Sequence, residues 1–305
     1  MAYAFSWLVW APWVLGEDGA GLLPIKPSDA TSGLLNAAAI LAGPTLSAFI
    51  MTATTEGRAG VSRLLGRYVL WRVGLRWHLF VLLGVPLIMV LGTMVFSGDL
   101  PNLGALGGPS YVLSYAPFFV LVFVLGGPLL EEPGWRGFAL PRLEQLHGPL
   151  LGTIVLGVLW ALWHLPEFLV PSWAASSGGG GILDIALFVV ITVAFAIVIT
   201  WVFNNTRDSL LLIMSVHASI DTFGSALGED LPRPRCVQQP APPDRLRGGR
   251  CYRRLDPRPP GLPTGDRRGS DRRRRGPAAG EVMRRGLDFY IPALPLALIH
   301  ERPRR

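Results

Sequence analysis

The chain has 305 residues, of which 50% are hydrophobic and only 16% are charged. This composition excludes an ordinary soluble domain and indicates a protein with several membrane-spanning helices. Residues 231–305 hold 19 of the 28 Lys and Arg residues and 7 of the 21 acids, a net charge of +12, whereas residues 1–230 carry −5. The net charge of +7 therefore does not indicate nucleic-acid binding, because the basic charge is confined to one end. We predict a membrane-embedded domain at residues 1–230 and a separate tail at residues 231–305. The predicted partner of the domain is membrane lipid, and we expect no binding of nucleic acid.

The apolar segments of the first domain predict an all-α, polytopic membrane bundle of about seven spans. They lie at residues 1–15, 33–53, 77–96, 111–130, 150–163, 182–203 and 209–227. The second span is followed by five arginines with a single acid among them: Arg58, Arg63, Arg67, Arg72 and Arg76. A surplus of arginine marks a cytoplasmic segment, so we predict a cytoplasmic loop there. The expected location is the cell membrane, with multiple passes.

A short segment of mixed character, residues 134–147, follows the fourth span. Apolar side chains alternate there with arginine, glutamate and glutamine at helical spacing. This pattern predicts an amphipathic helix that lies at the membrane interface.

The tail has three interpretations. Residues 232–285 are dense in Arg, Pro and Gly, a composition that cannot bury enough apolar surface to fold and that predicts disorder. The tail could also be a cytoplasmic polybasic segment that binds anionic lipid. The interpretation that we favour is a translated frameshift, because Arg, Pro and Gly share GC-rich codons and the composition changes abruptly after Glu229.

Two adjacent carboxylates, Glu131 and Glu132, lie where the apolar run of residues 115–130 ends. Charge resists leaving water, so a pair at this place indicates either a use or an ion partner. Arg136 lies one helical turn after Glu132 and is the predicted partner. Adjacent side chains on a helix diverge by about 100°, so we expect one carboxylate to face a site and the other to meet Arg136. The alternative is that both acids cap the span in water.

Two later apolar segments carry polar residues of their own. His164 ends one of them, with Phe168 one helical turn further on, and His217 and Asp221 are spaced by four residues in the last. Taken singly, His164 could be bonded to nearby backbone, and the His–Asp pair could join two helices. Three such interruptions instead predict one polar centre shared with the Glu pair. Glu167 is a weaker candidate, because it lies beside a proline near a predicted loop.

These residues also carry a family resemblance. The motifs resemble those of the CAAX prenyl protease/Abi family of intramembrane proteases, also called CPBP: Glu131-Glu132-x-x-x-Arg136, His164-x-x-x-Phe168 and His217-x-x-x-Asp221. The resemblance spans roughly residues 33–227. It implies an all-helical bundle around a cavity that opens to the membrane and the cytosol.

The resemblance implies a role for each motif residue. Glu131 and His164 would activate a water that attacks a peptide carbonyl. His217 and Asp221 would stabilise the oxyanion or position the water. The supporting residues would be Glu132, Arg136 and Phe168.

The third motif commonly ends in Asn, whereas this chain has Asp221. An ionised Asp cannot donate a hydrogen bond, so Asp221 is either protonated, orients His217 or binds a metal. The family is often described as metal-dependent, and Glu131, His164 and His217 would satisfy a zinc site with an open water position. A water activated by Glu and His alone needs no metal, and the sequence leaves both possibilities open.

The functional hypothesis is an intramembrane endopeptidase, a hydrolase that cleaves a membrane-associated peptide or protein, including substrates of the prenylated CAAX type. The alternative is a non-enzymatic membrane protein that keeps the fold, either a transporter or an immunity or chaperone-like factor. A transporter would more often show internal repeats, and the sequence shows no such repeat.

Overall fold

The computed structural model describes residues 1–97 and 109–227, and this part of the chain is helical without strands. The predicted all-α class is confirmed. Short π-helical or 3₁₀ turns join several of the helices. The α-helices of the described residues are α1 Ala2–Val14, α2 Asp29–Ile40, α3 Leu46–Tyr68, α4 Leu75–Leu79, α5 Val85–Ser97, α6 Pro109–Leu125, α7 Pro128–Glu132, α8 Leu140–His147, α9 Pro149–Trp163, α10 Pro171–Ser176, α11 Ile182–Asn205 and α12 Leu210–Leu227.

Several of these helices are long enough to cross a bilayer. Within the described residues, five helical stretches have the length and apolar composition of a span: Asp29–Tyr68, Leu75–Gly92, Tyr115–His147, Pro149–Leu169 and Ile182–Asn205. α12 adds a shorter apolar stretch, Leu210–Gly224. The polytopic helical class is thus confirmed, while the count of about seven spans stays a prediction. The tail at residues 231–305, and the domain boundary that precedes it, lie outside the described residues.

The arginines after the second span lie on a helix, not in a loop. α3 continues through Arg58, Arg63 and Arg67 as far as Tyr68, so the loop prediction was wrong for these positions. The helix bends at Gly57, where φ is 63° and ψ is −160°. Glycine adopts this conformation without steric penalty, so two helical pieces of α3 meet at a kink there.

The amphipathic helix also begins later than expected. α8, Leu140–His147, has the predicted character and leaves Leu146 exposed. The turn before it, Pro133–Ala139, is a π-helical segment that is largely buried in the bundle. A Cβ on Gly134 would lie 2.5 Å from Cβ of Pro44, so the glycine allows this close approach. The segment that follows the Glu pair therefore enters the protein interior.

The bundle brings α7, α9 and α12 around a common centre. α9 packs along α11, where a Cβ on Gly157 would lie 2.8 Å from Cα of Val193. α1 is fastened to the end of α9, because Nε1 of Trp7 donates to the carbonyl of Trp163 at 2.9 Å. α12 packs on both α7 and α11, so the helices that carry the three polar motifs are joined to one another.

Candidate active site

Glu131 and Glu132 end the short helix α7 and are buried, with 5% and 0% of their surface exposed. Gly127, directly before α7, has φ = 118°, a conformation that L side chains rarely adopt. A Cβ there would lie 2.3 Å from Oε1 of Glu131. Gly127 therefore turns the chain into α7 and leaves room for the first carboxylate.

Glu132 is the centre of a buried ion network. Its Oε1 accepts a hydrogen bond from Nη1 of Arg136 at 3.0 Å and another from Nδ1 of His217 at 2.8 Å. Arg136 is fully buried, and its guanidinium carbon lies 4.4 Å from the ring centre of Trp160. A buried charge is stable only when it is paired. Glu132 and Arg136 therefore depend on each other, and together they fix the ring of His217.

Glu131 makes a different set of contacts from its neighbour. Its Oε2 accepts a hydrogen bond from Nε1 of Trp160 at 2.8 Å, and the residue lines a cavity. Glu132 is absent from that lining. The two carboxylates thus face different partners: Glu131 faces the cavity, and Glu132 faces Arg136.

His164 follows the last residue of α9 and also lines the cavity. Its Nδ1 lies 2.9 Å from the carbonyl oxygen of Trp160. A carbonyl only accepts, so Nδ1 carries the proton and Nε2 of the neutral ring holds a lone pair. The ring is stacked on Trp173 at 5.9 Å and meets the edge of Phe188 at 5.4 Å. The histidine is therefore oriented with one nitrogen available as an acceptor.

Phe168 belongs to the support of His164, not to the cavity lining. The α-helix ends at Trp163, and a 3₁₀ turn carries Phe168 onto Trp173 and Phe188, with ring centres 4.8 and 5.3 Å apart. Those two rings are the ones that flank His164. Phe168 therefore does not lie one α-helical turn from His164 as expected, and it supports His164 indirectly, through the rings of Trp173 and Phe188.

Trp160 joins the parts of the site, and the sequence analysis did not identify it. Its indole N–H donates to Glu131, and its carbonyl accepts from His164. Its ring lies under Arg136 and meets the ring of His217 edge-on at 5.1 Å. The signal in the sequence was its position four residues before His164, on the same face of a helix.

His217 and Asp221 lie on α12 and complete the polar lining. Nδ1 of His217 faces Glu132, and Nε2 lies 3.4 Å from Oδ2 of Asp221. An imidazole that is protonated on both nitrogens can donate to both carboxylates at once. The spacing of four residues brings the pair together, one of the two arrangements that the sequence allowed.

The cavity has a volume of about 210 Å³ and lies inside the apolar bundle. Its polar lining includes Glu131, His164, His217 and Asp221. Glu167 also lines it and has only 2% of its surface exposed, although the sequence ranked it below the others. The remaining walls are mostly aromatic and aliphatic, which is typical of a small-ligand or peptide site.

The predicted zinc ligands can be compared with this geometry. Among the described residues, no group of three or more His, Cys, Asp and Glu side chains is arranged to hold a metal ion. Both nitrogens of His217 already face carboxylates, and Nδ1 of His164 faces a backbone carbonyl. Glu131, His164 and His217 thus do not form a ligand set as they stand, and zinc stays an untested prediction.

Comparison with known proteins shows what the segment around this site is similar to. Residues 113–223, which hold all three motifs, match the family model described as Rce1-like, type II CAAX prenyl endopeptidase. Over 138 residues the chain is 29% identical to CAAX prenyl protease 2 of Methanococcus maripaludis, a match that covers 45% of this chain and 50% of the relative. The chain thus spans about half the length of the curated relative that it matches.

The resemblance predicted from the three motifs is confirmed over this segment. Together with the apolar helices, the match identifies the chain as a multi-pass membrane protein.

Proposed function

We propose that this chain is an intramembrane endopeptidase that hydrolyses a peptide bond with a water activated by Glu131 and His164. The observation that carries the proposal is the cavity, which gathers these two side chains with His217 and Asp221 inside an apolar bundle. The match of residues 113–223 to prenyl endopeptidases supports peptide hydrolysis as the activity.

In the first step, the carboxylate of Glu131 takes a proton from the water, and the water oxygen adds to the carbonyl carbon of the substrate. Nε2 of His164 accepts the second O–H of the same water and orients it. Trp160 holds Glu131 through its indole N–H and His164 through its backbone carbonyl. One residue therefore sets the position of both groups that act on the water.

In the second step, Nε2–H of His217, whose contact with Asp221 is long at 3.4 Å, is shared with the negative oxygen of the tetrahedral intermediate and stabilises it. Asp221 accepts hydrogen bonds when ionised, so its role is to orient His217. The C–N bond then breaks, and the proton held by Glu131 passes to the departing amine. The products are an amine and a carboxylic acid, which loses its proton to water after release, and the enzyme returns to its starting state.

The substrate that we propose is a membrane-associated peptide, including the prenylated CAAX type. The relative's name, CAAX prenyl protease 2, supports this class. The aromatic walls of the cavity, which include Trp163, Trp173 and Phe188, would accommodate an apolar or lipid-modified segment better than a charged one.

A cleavage assay on the purified full-length protein tests the proposal. The substrates are a farnesylated CAAX-type peptide and the same peptide without the lipid, and the variants are His164→Asn and His147→Asn. His147 lies on α8, outside the cavity lining, so it is the matched control. We expect His164→Asn to lower kcat/KM by about 10²–10⁴-fold and the control to leave it unchanged.

Equal activity of the two variants would overturn the assigned site. Failure of the unaltered protein to cleave either peptide would favour the non-enzymatic alternative. A chelator in the same assay tests the zinc prediction. Activity that is lost with EDTA and restored by zinc would support zinc and overturn the metal-free step, whereas unchanged activity would support the step as proposed.

A further inference from the structure

A second cavity, of about 270 Å³, lies between α3 and the segment that includes the π-helical turn and α8. Three arginines line it: Arg63 and Arg67 from α3, and Arg142 from α8. Glu56 also lines it, and Gly60 and Gly137 contribute backbone to the wall. This cavity is distinct from the candidate active site, with which it shares no lining residue.

The arginines are only partly neutralised. Glu56 accepts from Nη2 of Arg63 at 2.8 Å and from Nη2 of Arg142 at 2.6 Å. Arg67 donates to Asp208 at 3.2 Å and to the carbonyl of Gly137 at 3.3 Å. Three guanidinium groups thus face two carboxylates, which leaves one positive charge in excess. Nη1 of Arg142 also donates to the carbonyl of Phe138 at 2.8 Å. A guanidinium has five N–H donors, so more than half of the donors of the three arginines have no part in these contacts.

The position of the cavity points to the membrane surface. α3 carries the arginine surplus that marks the cytoplasmic side, and Arg142 lies on the amphipathic helix α8. Leu65 and Leu146, each next in sequence to a residue that lines the cavity, are exposed at 51% and 74%. A basic cavity between helices on the cytoplasmic side, with exposed leucines on the same helices, is typical of a binding site for a lipid head group.

We propose that this cavity binds a phosphate group, either in the head group of an anionic lipid or in a soluble phosphate ester. A phosphodiester carries one negative charge, which matches the single excess charge of the cavity. Guanidinium groups bind phosphate oxygens through paired N–H donors. Glu56 is the internal anion that competes for Arg63 and Arg142, so the ligand replaces part of its contacts.

Because Glu56 competes with the ligand, replacing Glu56 and replacing an arginine should change the affinity for phosphate in opposite directions. Glu56→Gln should strengthen phosphate binding, because it removes the competing charge. Arg63→Gln should weaken binding by about fivefold, the effect of one arginine near a membrane surface. The side chain of Arg63 is 63% exposed, so its replacement leaves the packed core intact. Arg58→Gln is the matched control, because Arg58 is an exposed arginine of the same helix that does not line the cavity.

The experiment measures the thermal-unfolding midpoint of the full-length protein in a zwitterionic detergent. Dihexanoyl phosphatidylglycerol, dihexanoyl phosphatidylcholine and glycerol 3-phosphate are titrated separately, and binding to the folded state raises the midpoint. We expect phosphatidylglycerol to raise it and phosphatidylcholine to have little effect. If glycerol 3-phosphate also raises the midpoint, the phosphate group alone is sufficient for binding. If only phosphatidylglycerol raises it, the ligand is the anionic lipid.

All variants share the arginine-rich residues 231–305, so any binding of phosphate by this segment is the same in each. A difference in binding between two variants therefore reports on the cavity. The proposal is overturned if neither phosphatidylglycerol nor glycerol 3-phosphate stabilises the protein. It is also overturned if Arg63→Gln and Arg58→Gln weaken binding equally, or if Glu56→Gln weakens it. None of these outcomes depends on peptide cleavage, so the site stands or falls separately from the proposed protease.

Discussion

Glu131 and Glu132 are adjacent in the sequence, yet they belong to two different regions of the site. Glu131 lines the cavity and is held by one neutral donor, the indole of Trp160. Glu132 lies outside the cavity lining and holds Arg136 and His217 through one oxygen. One motif therefore supplies two things: a carboxylate that faces the cavity, Glu131, and a buried charge that fixes Arg136 and His217, Glu132.

This difference separates the expected effects of mutation. Changes in the ion network around Glu132 should act first on stability. Changes on the cavity side should act first on turnover, with smaller effects on unfolding.

The largest effect on stability is expected for Arg136→Leu. It leaves Glu132 as a buried carboxylate without its cation, and breaking a buried pair in this way costs about 3–5 kcal/mol. Thermal or denaturant unfolding of the purified protein measures the loss. Arg58→Leu, at an exposed position, should change stability by less than about 0.5 kcal/mol.

The double variant Glu132→Leu/Arg136→Leu sharpens this prediction. It removes both buried charges, so it should recover part of the stability that Arg136→Leu loses. If Arg136→Leu unfolds like the control, the ion network does not stabilise the bundle as described.

An intermediate effect is expected for Trp160→Phe. The change keeps an aromatic ring near Arg136 and His217 but removes the N–H that holds Glu131. A hydrogen bond to a charged group is worth about 1.5–3 kcal/mol, so kcat should fall by at least about tenfold.

Trp163→Phe is the matched control for that change. Trp163 is buried three positions later on α9 and lines the same cavity, but its Nε1 has no hydrogen-bond partner within the described residues. It should therefore lose packing without loss of a polar contact to the site. Equal kcat values for the two variants would show that the indole N–H of Trp160 does not position Glu131.

The smallest effect is expected for Gly127→Ala. Alanine is strained at φ = 118° by about 1–3 kcal/mol, and its Cβ would also lie 2.3 Å from Oε1 of Glu131. Gly178→Ala imposes similar strain at φ = 106° in open space. Both variants should lose stability, but only Gly127→Ala should also lose cleavage activity. An equal activity loss in both would assign the effect to backbone strain.

The sequence predicted the helical class from its long apolar segments. It predicted the polar centre because charged residues inside apolar spans face the interior of the bundle and pair with one another. Helical spacing also predicted that Glu132 meets Arg136 and allowed His217 to meet Asp221, and both contacts are present.

Other features depend on packing that local patterns do not contain. Trp160 looks like an ordinary apolar residue of a span until its neighbours are known. The late start of the amphipathic helix follows from the close approach of Gly134 to Pro44, which are 90 positions apart in the chain. Glu167 turns inward because a 3₁₀ turn replaces the expected loop.

The most direct test of the central claim compares Glu131→Gln with Glu132→Gln in two measurements, peptide cleavage and unfolding. We predict that Glu131→Gln lowers kcat by about 10²–10⁴-fold while the protein keeps most of its stability. Glu132→Gln should destabilise the protein more than Glu131→Gln does, because it removes the charge that pairs with Arg136. Full cleavage activity in Glu131→Gln would contradict the assignment of Glu131 as the base that activates the water.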